Sequence, residues 1–486
     1  MNHDYGLLAK ALSPELALVL GALAALALDL AGARGRPLGR RFAWSLAVGF
    51  AAIVAALALC VRLGLRGPIF QGALTLDTLA VTAQEGILVL TGLLMSVSVA
   101  QRRITAPAEY VALILFATAG FMLMAAAQQL LFAFVCLELA SICLYVLAGF
   151  DSSSAASAEA GVKYFLYGAM SAAFLLFGLS LLYGITGSLE LGTIAAVLAG
   201  QPPTPLLGVA LAMILVGFGF KAAAAPFHLW APDVYEGAPP AAAALIASAS
   251  KLGGFVLFGR LLCPGLGLSG ASAGASASWA PLVAVLAGAS LVVGNLGALA
   301  QGNVRRLLAY SAIAHAGALL IGVMALPSSG PAPLVYYAFT YGLATVGAFG
   351  VITVLDGSGG CQSLTDLAGL MRRSPFLGSC LLIYVLSLAG VPPLAGFLGK
   401  FSVFAAALKQ GGPGSLIGAL SFAAIAFSAV ALYYYLAILK QVVVAPALPG
   451  RATAIATPRA VALGLAAAAG LLVLLGLVPS LILGRF

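Results

Sequence analysis

Residues 217–251 read GFGFKAAAAPFHLWAPDVYEGAPPAAAALIASASK, and this stretch decides the fold. Two lysines, Lys221 and Lys251, stand in apolar segments on either side of a short polar turn. A lysine at the centre of a bilayer costs roughly 2.5–3.5 kcal/mol on insertion scales, so it is rarely placed there without a use. Between them, Pro226 interrupts the first segment: its missing N–H leaves the carbonyl of Ala222 without a helical partner, one residue after Lys221. Irregular backbone at that depth is tolerated only where it is buried in protein or lines a watery cavity. The stretch therefore reads as a broken helix carrying one cation, followed by an unbroken helix carrying another. That is the architecture of an ion path.

The rest of the chain repeats the theme. Of 486 residues, 63% are hydrophobic and only 8% charged, which places the chain among all-α polytopic membrane proteins. Segments long enough to cross the hydrocarbon layer recur from residue 15 to residue 484 and number about fourteen. The seventh covers 205–227, the eighth 240–262 and the twelfth 376–404, and the boundary between the fourth and fifth rests on Gln128 and Gln129. The stretch from Leu355 to Pro375 is expected to hold a short interfacial helix. Asp4 and Glu15 precede the first apolar run and no signal-peptide cleavage pattern follows, so that run is read as the first span.

Charge and cysteine content exclude several functions. The net charge of +9 comes from residues at helix ends, with no basic run longer than two, so it reads as a topology signal and not as a nucleic-acid surface. The six cysteines form no CxxC, and neither a metal nor an iron–sulfur site is expected. No phosphate-cradling glycine motif, dinucleotide fingerprint or nucleophile elbow is present, so the chain is expected to carry no redox or hydrolytic chemistry of its own. Its glycines sit within spans, where they permit close helix packing.

Sorting the 23 Lys and Arg residues by connection gives the orientation. Odd-numbered connections hold Arg34, Arg36, Arg40, Arg41, Arg102, Arg103, Arg305, Arg306, Arg372, Arg373, Lys440, Arg451 and Arg459. Even connections and the termini hold Lys10, Arg62, Arg66, Arg260, Lys409 and Arg485. An excess of about two to one places the odd connections in the cytoplasm and both termini outside. Lys163, Lys221, Lys251 and Lys400 belong to neither group, because they fall inside spans.

A second break supports an internal repeat. In SLAGVPPLAGFLGKF, Pro392 and Pro393 free the carbonyls of Leu388 and Ala389 ahead of Lys400. The two breaks lie five spans apart, and an odd offset gives two units of opposite orientation. This divides the chain into three N-terminal helices (1–104), a first five-helix unit (105–265), an inverted second unit (278–441) and a last helix (442–486).

Six residues emerge as candidate proton carriers. Glu138 lies about ten residues into the fifth span, where a carboxylate is either neutral or held by a nearby cation, and Lys221 is the natural partner. Lys251 and Lys400 lie too deep to snorkel. Burial disfavours a charged amine, so such a lysine can exchange its proton as a nearby charge comes and goes, which an arginine could not. Lys163, in GVKYFLYGAM, is nearer a surface and fits either a snorkelling anchor or a proton-path residue. His315 stands about ten residues beyond Arg305, hence ~15 Å deep at 1.5 Å per residue, with Ser311 one turn before it. His228 follows the first break and marks a candidate path exit. In HLWAPDVYEGAP, Asp233 and Glu236 read as an interfacial turn with an aromatic anchor, and Asp233 also as an entry group for cations.

The motifs KAAAAPFHLWAPDVYEGAP, RRLLAYSAIAHAG and GVPPLAGFLGKF together closely resemble the antiporter-like membrane subunits of respiratory complex I, over about residues 105 to 440. Lys400 sets the chain apart from the glutamate-bearing type in that family, and its end at Phe486 from the type with a long lateral helix. The resemblance implies a proton-translocating role in a bacterial inner-membrane NADH:quinone oxidoreductase. Glu138, Lys221, Lys251 and Lys400 match the family's carriers, and Lys163 and His315 match further positions on its polar axis. It also implies that NADH, FMN, iron–sulfur clusters and quinone sit in partner subunits, with no cofactor in this chain. The same lysines would serve a multisubunit cation/proton antiporter or a membrane-bound hydrogenase.

Overall fold

A computed structural model describes residues 5–33, 35–101, 103–199, 202, 204–263, 273–358, 360–448 and 454–486. Arg34, Arg102 and Arg451 of the charge count, and the expected limit at residue 265, lie outside the described residues. Thirteen helices among them are long and apolar enough to cross a membrane, and the expected twelfth span is a broken pair of shorter helices. The elements used below are α1 (Ser13–Leu28), α2 (Leu38–Leu63), α3 (Thr78–Ser98), α4 (Pro107–Ala126), α5 (Leu130–Ala148) and α6 (Ala155–Thr186). They continue with α7 (Pro205–Ala222), α8 (Trp230–Gly237), α9 (Pro240–Ala247), α10 (Ala249–Leu262), α11 (Ala273–Leu299) and α12 (Val304–Met324). The last are α13 (Ala332–Asp356), α14 (Pro375–Ala389), α15 (Ala395–Gly411), α16 (Leu416–Leu439) and α17 (Arg459–Leu477).

Helix starts follow from local chemistry. Asp77, Ser154, Thr204, Asn303, Ser374 and Ser415 each accept a backbone N–H of the first turn of α3, α6, α7, α12, α14 and α16, filling donors that no helical carbonyl can reach. Gln128 and Gln129 do mark the turn between α4 and α5: the Gln128 N–H bonds the Ala73 carbonyl, and the Gln128 carbonyl accepts from Leu191. The interfacial segment after α13 holds a 3-10 turn, Leu364–Leu367, closed by a Ser363–Asp366 capping box.

Two features depart from the reading of the sequence. A small antiparallel hairpin, β1 (Gly67–Ile69) with β2 (Leu74–Leu76), follows α2. Its alternation buries Ile69, Leu74 and Leu76 against Ala11, Ala80 and Ala126, so it forms a lid on that end of the bundle. The eighth span is also not the unbroken helix expected. It changes direction at Ser248 (φ −117°, ψ −87°), three residues before Lys251. The Ser248 Oγ–H donates to the Ala244 carbonyl at 2.6 Å, a local bond that competes with the helical ladder and bends it.

Burial divides the helices. α9, α10, α12 and α13 are almost wholly enclosed by protein, whereas α6 and α16 leave most of one face to the surroundings, with Phe165, Leu166, Phe177, Phe422 and Tyr433 exposed. α11 and α12 approach closely at Gly294, where an added Cβ would lie 2.4 Å from the backbone nitrogen of Ala314. Two of these enclosed helices, α10 and α12, carry Lys251 and His315.

Candidate functional site: a row of buried lysines

Lys221 occupies the last turn of α7. The helix stops there because Ala223 adopts a left-handed conformation (φ 57°) and the Ala224 N–H turns back to the Gly219 carbonyl. Groups released by the break find partners: Trp230 Nε1 donates to the Phe220 carbonyl at 3.2 Å, and the Ala225 N–H to Ser290 Oγ at 2.9 Å. Lys221 is buried, donates to Ser141 Oγ at 3.1 Å, and lies 5.6 Å from the Phe121 ring centroid. Ser141 passes its own hydrogen to the Leu137 carbonyl.

Glu138 is one turn before Ser141 on α5. Its Oε1 is enclosed and has no hydrogen-bond partner, and no direct ion pair joins it to Lys221 among the described residues. The two groups are near enough to act on each other electrostatically, with the Ser141 hydroxyl beside the lysine. Acid and base thus lie near each other without direct contact.

The second half of the row lies on α10, α12, α13, α15 and α16. Lys251, 2% exposed, donates to the Ala312 carbonyl at 2.5 Å, and its Nζ sits 5.4 Å from the Tyr341 ring centroid. Tyr341 packs on the His315 ring at 4.7 Å between centroids. His315 faces a phenol at each nitrogen, Nδ1 to Tyr337 Oη at 2.6 Å and Nε2 to Tyr435 Oη at 3.1 Å. A hydroxyl can donate or accept, so either neutral tautomer of His315 is satisfied. Tyr435 Oη also meets Ser311 Oγ at 2.5 Å, which gives the serine noted one turn before His315 a partner.

Lys400 closes the row. The second break ends α14 at Ala389, with Gly390 left-handed (φ 86°), a conformation that only glycine takes without strain. Lys400 Nζ donates to the Ala389 carbonyl at 3.0 Å, and its side chain shares a small cavity with His315, Tyr337, Asn295 and Tyr434. Pro392 and Pro393 lie in the break itself, as Pro226 does in the first.

Lys163 and Asp233 fall elsewhere. Lys163 is 37% exposed in its side chain and pairs with Glu159 at 2.6 Å and Asp233 at 2.5 Å. Arg306 pairs with Asp233 at 2.7 Å and with Glu236 at 2.8 Å, and Arg305 with Asp356 at 2.9 Å. Arg305 and Arg306, counted as topology signals, are thus also members of an ion-pair network that fixes α8 against α6, α12 and α13. His228 is half-buried in the break, with Nδ1 enclosed and unpartnered, and it touches none of the row's lysines by a hydrogen bond.

Reading the sequence for charges missed the hydroxyls. Ser141 accepts from Lys221, Tyr341 lies between Lys251 and His315, Tyr337 and Tyr435 bond His315, and Tyr434 with Asn295 lines the last cavity. The signal available was the clustering of tyrosines in apolar spans, in VYYAFTYG and ALYYYLAIL.

Thirteen membrane-length helices among the described residues and two proline-broken helices define a polytopic membrane protein, with Lys221 and Lys251 buried and Lys400 partly buried within it. The family model for NADH:quinone oxidoreductase/Mrp antiporter transmembrane subunits matches residues 127–427, and the chain belongs to that family. It is 45% identical to NADH-quinone oxidoreductase subunit N 2 of Acidobacterium capsulatum, over 99% of this chain and 98% of the relative. Its structure is similar to a chain of respiratory complex I from Thermus thermophilus with bound aureothin (TM-score 0.80, 34% identity, 97% of this chain and 98% of that one). A chain of the Mrp complex from Dietzia sp., at 22% identity and TM-score 0.78 over 97% of this chain and 95% of that one, shares the fold.

Proposed function

We propose that this chain is a proton-translocating membrane subunit of a bacterial NADH:quinone oxidoreductase, the complex named by its relatives. The observation that carries the reading is two groups of exchangeable side chains: Glu138 and Ser141 beside Lys221, and Lys251 linked through Tyr341, His315 and its two tyrosines to the small cavity shared with Lys400. In this role Lys221, Lys251 and Lys400 hold the protons. Glu138 sets the charge felt by Lys221, and His315 with Tyr337 and Tyr435 carries protons between Lys251 and Lys400. Hydroxyls and an imidazole can each accept one proton while giving up another, so the row can conduct without a permanent charge between the lysines. Lys163 and Asp233 serve the surface end, and His228 the break.

Moving one charge against 100 mV costs ~2.3 kcal/mol. That energy would come from quinone reduction in partner subunits, which would hold the NADH, FMN, iron–sulfur and quinone sites. The two broken helices, five spans apart, favour inverted units over 105–265 and 278–441, and the charge count favours a cytoplasmic location for the odd connections in the cell membrane. A cation/proton antiporter or hydrogenase complex built on the same fold is the competing reading. Purification of the tagged chain in mild detergent separates them. Co-purifying NADH:quinone activity is expected, and a small membrane assembly lacking it would reverse the assignment.

A further inference from the structure

α17 lies at the rim of the bundle, with Leu463, Leu474 and Leu477 exposed, and beyond the residues 127–427 that match the family model. The role above assigns it nothing, yet it is tied inward along its length. Gly464 sits so close to α3 that an added Cβ would lie 1.8 Å from Ser96 Oγ, and Tyr384 of α14 donates to the Leu465 carbonyl at 2.5 Å. Further on, Pro479 supplies no N–H to the carbonyl of Leu475 four residues before it, and the Tyr336 hydroxyl of α13 takes that carbonyl at 2.8 Å. Past a short turn at Ser480–Leu483, Arg485 pairs with Glu85 of α3.

Next to Leu475, Gly476 meets the second break. An added Cβ there would lie 2.0 Å from the Pro393 carbonyl oxygen and 2.9 Å from the Ala395 nitrogen, backbone atoms that no change of rotamer can clear. Ala395 opens α15, and that helix starts without a side-chain cap; of its first turn, the Gly396 N–H reaches Ser387 Oγ at 3.2 Å. With so little else to hold it, the start of α15 is located by its backbone contact with Gly476. Lys400 stands five residues beyond Ala395, ~7.5 Å along the axis at 1.5 Å per residue. Its Nζ bonds the Ala389 carbonyl across the same break. Gly399, beside it, packs on the Tyr337 ring that serves His315, with an added Cβ 2.7 Å from Tyr337 Cδ2.

We propose that α17 is a strap that positions Lys400, with Gly476 as the positioning residue. The inference rests on the proton-translocating role above. The strap joins α3, α13 and α14 to the break, and α15 carries any shift at its first residue on to Lys400. Gly476 therefore decides whether the amine reaches both the Ala389 carbonyl and the cavity it shares with His315. A misplacement of about 1 Å in a reacting group can cost on the order of a hundredfold in rate.

The test uses the intact complex in sealed vesicles and reads two quantities, NADH turnover per assembled complex and protons pumped per NADH. In Gly476→Ala, turnover should fall roughly tenfold and the proton yield should drop with it. Gly470→Ala, on the same helix with open space where its Cβ would go, should match the wild type in both. Lys400→Ala is run beside them. Wild-type values in assembled Gly476→Ala, with Lys400→Ala defective, would overturn the strap and leave the pumping role standing. Less assembled complex with both quantities unchanged would make α17 a structural support only and would overturn it too, as would an equal loss in Gly470→Ala. Wild-type pumping in Lys400→Ala would overturn the role itself. Should Gly476→Ala not assemble, Tyr336→Phe keeps the ring and leaves the Leu475 carbonyl unbonded, and a lowered proton yield is expected. A wild-type yield there would overturn the strap.

Discussion

Lys400 Nζ donates to the carbonyl of Ala389 at 3.0 Å, and that carbonyl is the one a proline at position 393 deprives of its helical N–H. The break and the cation are therefore one device: the proline frees an acceptor, and the lysine eleven residues on takes it. Lys400→Ala leaves the carbonyl unpaired, at about 1–3 kcal/mol for a buried acceptor. A lowered thermal midpoint of the purified complex together with lost pumping is expected. An unchanged midpoint would mean that water or another donor replaces the amine.

Glu138 and Lys221 lie near each other without touching, which predicts electrostatic coupling. Replacing each singly and both together should give non-additive losses of pumping rate, with an interaction of about 0.5–3 kcal/mol. Ser141→Ala removes the hydroxyl bonded to Lys221 and should weaken that coupling while leaving both charges in place. Additive single and double variants would contradict the link.

Tyr435 holds His315 and Ser311 together through one oxygen. Tyr435→Phe removes both bonds at almost no change in volume, so pumping should drop while assembly and stability change by about 1 kcal/mol per lost bond. Ser311→Ala removes only the bond that does not involve the imidazole and should have the smaller effect on pumping. Unchanged pumping in Tyr435→Phe would show that Tyr435 acts by packing alone.

Arg260 and Asp77 form an unequal pair. The arginine side chain is 3% exposed and the carboxylate 41%, at 2.5 Å, and Arg260 Nε also donates to the Ala125 carbonyl at 2.6 Å. Asp77 in addition caps α3 by accepting the Ala80 N–H. Asp77→Ala strands a buried guanidinium and removes the cap, so it should destabilise by about 3–5 kcal/mol. Arg260→Met leaves a carboxylate that water can reach, and should cost less. Thermal unfolding of the two purified variants checks the order.

Much of this was legible in the sequence, for physical reasons. Apolar length announces a span and proline announces a break, so the helices, both proline breaks and the burial of Lys221 and Lys251 could be read residue by residue. What could not be read is adjacency between distant segments. Tyr435 lies 120 positions from His315, and nothing local says that its hydroxyl will face an imidazole. The bend at Ser248 was hidden because serine is compatible with a straight helix and bends one only when its hydroxyl bonds back to the preceding turn. Arg305 and Arg306 were read for orientation, and their carboxylate partners came from other helices.

The central claim is that the buried lysines carry the translocated protons. The most direct measurement is the number of protons pumped per NADH oxidised in vesicles containing the complex with Lys251→Ala, compared with the unmodified complex. Pumping should collapse in the assembled variant. Full pumping at an unchanged ratio would show that the protons take another way.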